Sequence, residues 1–490
     1  MKNIVKISKY LLAGAISLVT ISSCNKFVDV NKDPNSPTDV PPKVLLPTTS
    51  IGIGFTNVNQ IGLATALMVQ YTAAVPTQWT AFDTYNLADQ TGITNAWSYE
   101  IYSGTVNNLR IIIDKTSTTS PVYSGIAKIQ LAYILGMATD LWGDVPYSQA
   151  GFGLANTSPR YDAQKDIYEG NSSLNISSLF DLIKDGMADL DKTSALVPTT
   201  DDIIYGGDIS KWKKAGNSLL LKFALQLSNV DPTTAASVIN NVVAGNNYIN
   251  DNSLNFNVPF SSTVNNQSPM YVRDISGSFK NNEMLSTSFL TLMKNQNDTV
   301  RLAKYYTKPN NTFTSYINGN NVTAVIAASR SQYNAYVVGT SGEAPARLLT
   351  NHQIQFILAE AAVRYGISGD PNTYYQNGIK QSMKLAGMSD ADISAYFTSN
   401  PSIVTLSGSN DDKIKQIITQ KYISLVGNAY ESYNDYRRTG YPVLALALNA
   451  SGDDPTMIPK RFPYLASEAG VNPNQPNPRP KTNVKVWWGL

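Results

Sequence analysis

Two carboxylates at a suitable separation are enough to cleave a glycosidic bond, one as acid and the other as base or nucleophile. Asp140 with Asp144, and Asp201 with Asp202, supply the residue types, but carboxylates are so common that the pattern has almost no specificity. Other hydrolytic routes find less support. There is no Gly-x-Ser-x-Gly elbow, no His-Glu-x-x-His and no phosphate loop, and the single histidine, His352, has no recognisable triad partners. One histidine also excludes a His-rich metal site, so neither a metal nor a cofactor is expected. Binding chemistry is better supplied. The stretch Gln78-Trp79-Thr80-Ala81-Phe82-Asp83-Thr84-Tyr85-Asn86 sets Trp79, Phe82 and Tyr85 in a polar loop. A flat ring can stack on the apolar C–H face of a sugar while Asn, Asp or Arg takes its hydroxyls. Tyr271 with Arg273 offers the same combination later in the chain. Trp142, Trp212, Tyr436, Arg437 and Arg438 read instead as core and helix-end residues.

The only cysteine, Cys24, has a different chemistry. Lys2, Lys6 and Lys9 precede an apolar run from Leu11 to Val19, the layout of a secretory leader and shorter than the about 20 residues a membrane span needs. Ile21-Ser22-Ser23-Cys24 resembles a bacterial lipobox, which predicts a signal peptide over 1–23 and a diacylglycerol on the Cys24 sulfur. Each buried CH2 contributes about 0.8 kcal/mol, so a multiply acylated cysteine anchors a protein without spanning the bilayer. Residues 24–47, rich in Pro and Asn, are expected to be a tether between that anchor and a folded body over 48–490.

Composition narrows the partners. Charged residues are 15% of the 490, against about 25% in typical soluble proteins, and Asn, Ser, Thr and 28 Tyr carry the polarity. Formal charge is +2, falling to −1 without the three leader lysines, so there is no basic field to gather nucleic acid. A surface of this kind suits neutral polar ligands.

Helices must position the candidate residues. Helical patterns run from Ile61 to Tyr71, from about 95 to 114, and through Ile126, Ile129, Tyr133 and Met137 to a stop at Gly143 and Pro146. Leu179, Ile183, Met187 and Leu190 line another face. Further helices are expected over Trp212–Leu227, after Asp231-Pro232, over Ile354–Tyr365, after Asp370-Pro371, and through Ile414, Ile417, Ile418 and Tyr422. From about 248 to 346 the chain turns to Asn, Ser, Thr and Tyr, interrupted by one expected helix over Asn282–Met293. Around Asn318-Gly319, the β-branched and aromatic runs Thr312–Ile317 and Val322–Ile326 predict a small β-hairpin. The fold class expected is mainly α, a tetratricopeptide-like scaffold of helical pairs with a loop-rich binding insert.

Several segments together carry a resemblance. They are Asp29-Val30-Asn31-Lys32-Asp33-Pro34, Asp140-Leu141-Trp142-Gly143-Asp144-Val145-Pro146-Tyr147 and Ile204-Tyr205-Gly206-Gly207-Asp208 with Trp212, followed by Asn217-Ser218-Leu219. Ala359-Glu360-Ala361-Ala362, Asn434 to Pro442, and Lys460 to Tyr464 with Glu468 complete the series. In this order they resemble the SusD/RagB family of outer-membrane lipoproteins, with Gly170 to Leu174 a departure from an otherwise uninterrupted family helix. The resemblance implies a lipid-anchored cell-surface protein lying over a TonB-dependent, SusC-like transporter barrel in the outer membrane. It would capture a nutrient, usually a glycan and in some members a peptide, and would not be an enzyme. A surface-anchored glycoside hydrolase and a purely structural helical-repeat adaptor are the alternatives.

Overall fold

The computed structural model describes residues 40–490 apart from 77, 89, 323 and 324, so the expected signal peptide and Cys24 lie outside the described residues. The described chain enters through α1 (Pro42–Val58) and, after a break at Asn59, α2 (Gln60–Met68). α1 starts inside the segment expected as tether, because Leu45 and Leu46 find buried partners there. After β1 (Thr72–Ala74), a π-helix over Ala96–Val106 runs into α3 (Asn107–Thr116), where the pattern predicted one ordinary helix.

The longest helix, α4 (Pro121–Trp142), is buried around almost its whole circumference, the mark of a central helix. Pro121 sits in its tolerated first turn, and Gly143, at φ +85°, ends it. A short ribbon of β2 (Val145–Pro146) and β3 (Tyr161–Asp162) follows. α5 (Leu179–Asp189) is capped by the Ser178 hydroxyl, which accepts from Asp181 N at 2.9 Å. It packs on α4, which also meets α3. α6 (Ile209–Gln226) and α7 (Pro232–Gly245), capped by Asp208 and Asp231, form the next pair.

Beyond the insert come α8 (Asn351–Tyr365), α9 (Pro371–Leu385), α10 (Asn410–Ser424), opened by a Ser409–Asp412 capping box, and α11 (Ala429–Thr439). Phe356, Tyr375, Ile379, Met383 and Ile417 interlock between α8, α9 and α10. The architecture is therefore mainly helical and built from tetratricopeptide-like pairs, as the periodicities predicted. Trp142, Trp212, Arg437 and Arg438 are fully buried, and Tyr436 is half-buried.

The insert is stapled twice. At its root β4 (Phe256–Val258) pairs antiparallel with β6 (Ala346–Leu349), and midway β5 (Glu283–Leu285) pairs antiparallel with β1. The helix expected over Asn282–Met293 thus begins as a strand, and only Thr287–Asn295 is helical, capped by Ser286. No hairpin forms around Asn318-Gly319 among the described residues. Its turn groups are taken by distant partners instead. The Asn318 side-chain amide donates to Thr72 O at 2.8 Å and to Asp83 Oδ1 at 2.6 Å, and the Asn318 backbone carbonyl accepts from Leu448 N at 2.8 Å. Gly319, at φ +72°, lies so close to Leu448 O that a Cβ would stand 1.8 Å from it.

Polar groups also hold the centre. The Asp140 carboxylate accepts from Tyr168 Oη at 2.6 Å, Tyr430 Oη at 2.7 Å, Asn434 Nδ2 at 3.0 Å and Trp488 Nε1 at 3.0 Å. Lys222 lies between Asp140 and Glu431, at 3.7 and 3.3 Å. Arg438 grips Glu360 with both terminal nitrogens, at 2.5 and 2.7 Å, and reaches Asp435 at 2.9 Å, which Lys421 also meets. Burial pushes the Glu360 carboxyl up, but Arg438 and Arg364 outweigh it and hold the group at about 2. Burial, reinforced by Arg347 and Arg301, pulls His352 down to about 3, and its Nε2 lies 2.9 Å from the Thr350 hydroxyl.

Two outcomes are expected. Asp140→Ala leaves four buried donors without their acceptor and Lys222 with Glu431 alone, so urea unfolding should show a loss of about 3–5 kcal/mol. His352 stays neutral in the folded state while the unfolded chain takes up its proton near the ordinary value of 6.5. Stability should therefore fall as pH drops from 6.5 towards 3, by a few kcal/mol at pH 4.5. Unfolding of wild type and His352→Gln at pH 7 and pH 4.5 checks this: the variant should lose less on acidification, and equal losses would refute it.

Candidate functional site

The aromatic loop and the segment holding Arg273 both reach the β1–β5 ribbon, through Asp83 to Ala74 and through Arg273 to Glu283. The aromatic loop forms a short helix, Thr80–Asp83, packed on α2 rather than an open platform. Trp79 is 6% exposed, Phe82 3% and Tyr85 2%, which corrects the expectation that these rings present free faces. Trp79 and Phe82 lie nearly parallel, 14° apart with centroids at 6.3 Å. Tyr85 adopts φ +69°, its hydroxyl accepts from Ala447 N at 2.9 Å, and burial pushes that hydroxyl up to about 12. Apolar area is better used in the core than in water, and a loop beside an apolar helix has a core within reach.

Arg273 is likewise spent. It sits in a second π-helical segment, Val272–Ser276, fully enclosed. Nε and Nη2 fork onto Asp274 at 2.6 and 2.7 Å, and Nη2 also reaches Glu283 at 3.4 Å. Nη1 donates to the carbonyls of Val58 and Asn59 at 3.3 and 3.0 Å. All five N–H groups therefore have acceptors within the protein and none is left for a ligand. Burial alone would lower this guanidinium, but Asp274 and Glu283 raise it above its ordinary value. Burial raises Asp274 in turn, against the pull of Arg273. Tyr271 is half-buried, its ring against the Gly342 backbone.

What reaches the surface is a residue the sequence reading passed over. Phe279, 40% exposed, meets Trp79 edge to face, with centroids at 5.2 Å and planes 62° apart. Around it Gln78, Ser278 and Lys280 are exposed, and Asn281 and Asn282 are half-exposed. The Trp79 Nε1–H is buried without a partner in the protein. An exposed ring among amides, a hydroxyl and one ammonium can take an apolar face with hydroxyls at its edge. Phe279 follows Gly277-Ser278 and precedes Lys280-Asn281-Asn282, so the signal that singled out Trp79, an aromatic in a polar loop, was present here too.

The face is held by Asp83. Its carboxylate accepts from Gly319 N at 2.7 Å, Asn318 Nδ2 at 2.6 Å and Ala74 N at 3.2 Å, clamping the insert's turn to β1. Burial pushes Asp83 up to about 7 despite those donors. The carboxylates considered for hydrolysis are engaged in the fold. Asp144 accepts from Gln164 N at 2.8 Å and Asp201 from Tyr123 Oη at 2.7 Å, while Asp202 accepts from Trp212 Nε1 at 2.7 Å and Gly207 N at 2.9 Å. Among the described residues, no group of three or more His, Cys, Asp or Glu is arranged to hold a metal ion. No described helix is long and apolar enough to cross a membrane.

Solved structures share this fold. A chitin-binding protein superposes with a TM-score of 0.77 at 23% identity, covering 92% of this chain and 100% of its own. A SusD homologue from Bacteroides uniformis gives 0.77 at 22%, with the same coverage. A chitin-binding SusD homologue from Flavobacterium johnsoniae gives 0.74 at 23%, covering 92% and 98%. No curated protein matches the sequence. The SusD-like family model, described as starch-binding and associating with the outer membrane, matches residues 34–465. The segments from Asp140 to Tyr464 that fix the central helices fall within that span, and the chain belongs to the SusD-like family.

Proposed function

We propose that this protein captures a neutral glycan on the face around Phe279 and passes it to a TonB-dependent, SusC-like transporter in the outer membrane. The observation that carries the reading is the Trp79–Phe279 pair, a buried indole supporting an exposed ring among amide side chains, in a chain of the starch-binding SusD-like family. Starch and chitin fragments are the first ligands to test, since those polysaccharides are named for the family and for structural relatives. Neutral sugars also suit a chain in which only 15% of residues are charged. A signal peptide over 1–23 and acylation of Cys24 would place the protein on the membrane as an anchored lipoprotein, with residues beyond 24 as its tether.

Phe279→Ala should weaken binding of starch- or chitin-derived oligosaccharides by roughly 10- to 100-fold, about 1.4–2.8 kcal/mol, with little change in melting temperature. Trp79→Ala should instead cost about 3–5 kcal/mol of folding stability, because its ring leaves a buried cavity. Calorimetric titration and thermal melts of both variants decide it, and undiminished affinity in Phe279→Ala would remove this face. For the anchor, wild type should pellet with outer membranes and co-purify in detergent with a large barrel, whereas Cys24→Ala should stay out of the membrane fraction. Equal membrane recovery of the two would exclude acylation as the anchor.

A further inference from the structure

A second recess lies where the Ala96–Val106 π-helix meets the loop after β2 and the C-terminal segment, and it shares no residue with the Phe279 face. Its volume is about 350 Å3, and Trp97, Tyr102, Ser103, Asn107, Asn156 and Glu468 line it. The π-helix is the first unusual feature. Eleven residues in this widened geometry are far more than the single-turn bulges in which it usually occurs, and such bulges are frequent at functional sites. Here it brings Trp97 and Tyr102 together with ring centroids at 4.8 Å, and Tyr102 is fixed by donation to Pro146 O at 2.9 Å. Trp97 is locked behind it, stacked on Tyr161 at 6.2 Å and edge-on to Trp142 at 5.1 Å.

The opposite wall is as firmly held. Arg110 donates to Ala150 O at 3.2 Å and Tyr147 O at 2.9 Å, and its guanidinium lies 5.2 Å from the Phe152 ring centre. Phe152 is 49% exposed and Leu154 96%, so the same loop carries apolar side chains to the surface. Within the lining, Glu468 is the only charged side chain. It is half-buried, faces Asn472, Tyr161 and Trp97, and burial raises its carboxyl above the ordinary value. Asn107, half-buried, lines the same recess.

We infer that this recess is a second ligand site, taking a single neutral pyranose by stacking it on Tyr102 and bonding its hydroxyls to Glu468 and Asn107. The size argues for one ring, since the volume is at the lower end of the range of about 300–1,000 Å3 typical of ligand sites. The charge argues for a neutral ligand. A lone carboxylate with no cation in the lining repels anions, while both charged and amide groups accept or donate to hydroxyls. The choice of sugars as probes rests on the glycan reading above, whereas the recess itself does not.

The test is saturation-transfer NMR of the full mature chain with the methyl glycosides of glucose, galactose, mannose and N-acetylglucosamine. At least one should receive saturation. Ser103→Trp, at an exposed position on the rim, should fill the recess and abolish that transfer, and Glu468→Gln should weaken binding at least tenfold. Phe279→Ala should leave it unchanged. The inference is overturned if none of the four glycosides is saturated, or if the signal survives Ser103→Trp. Loss in Phe279→Ala with retention in Ser103→Trp would assign monosaccharide binding to the insert face and would overturn the recess while sparing the glycan reading.

Discussion

Asp140 is where the fold's distant parts are tied. A carboxylate at the end of the central helix α4 must have its lone pairs filled once it leaves water, and burial of such a group without partners costs several kcal/mol. Four donors from three other segments, Tyr168, Tyr430 with Asn434, and Trp488, meet that requirement. The geometry is possible only if the short helix Gln164–Glu169, α11 and Trp488 all reach the same point. Around it, Asp140, Glu360, Glu431 and Asp435 are met by Lys222, Arg364, Lys421, Arg437 and Arg438, so the centre is laced with paired charges. A core of aliphatic side chains alone would tolerate slippage between helical pairs. A core in which every displacement strands a charge tolerates much less.

The same device appears at smaller scale where the insert meets the body. Asp83 collects two backbone N–H groups and the Asn318 amide, and Asp202 collects the N–H groups of its own turn with the Trp212 indole. In each case a short acidic side chain substitutes for missing secondary structure, satisfying backbone donors that no helix or strand would pair. This explains how a stretch of about a hundred residues with little regular structure holds a defined surface.

These particulars mark how far the sequence could be read. Helices were legible because their apolar spacing is local, and because Pro121, Asp208, Asp231, Asp370 and Ser409 start them by local chemistry. The insert was not. Asn318-Gly319 looks like a hairpin turn to any local rule, yet its hydrogen bonds go to Thr72, Asp83 and Leu448, between about 130 and 250 positions away. Glu283 to Leu285 reads as a helix start because its strand partner lies near residue 73. Trp79, Phe82 and Tyr85 are adjacent to an apolar helix and sink onto it, while Phe279, with polar neighbours on both sides, stays half in water. Arg273 was misread for a similar reason, since adjacent Asp274 and distant Glu283 had already claimed it.

Burying Trp79 and engaging Arg273 brace the surface around Phe279. Association costs freedom in every side chain it must freeze, so a ring already seated before the ligand arrives binds with less loss. Phe279 is seated by Trp79. The supports behind it converge on the break at Asn59 between α1 and α2, where Arg273 holds the carbonyls of Val58 and Asn59 and the Asn59 amide donates to Glu100 at 2.7 Å. Burial pushes Glu100 up to about 7, and it belongs to the π-helix that also shapes the second recess. One interruption in the first helical pair thus braces the Arg273 segment behind one surface and the Glu100 segment behind the other. Closing it into a continuous helix would remove the Asn59 groups that both use.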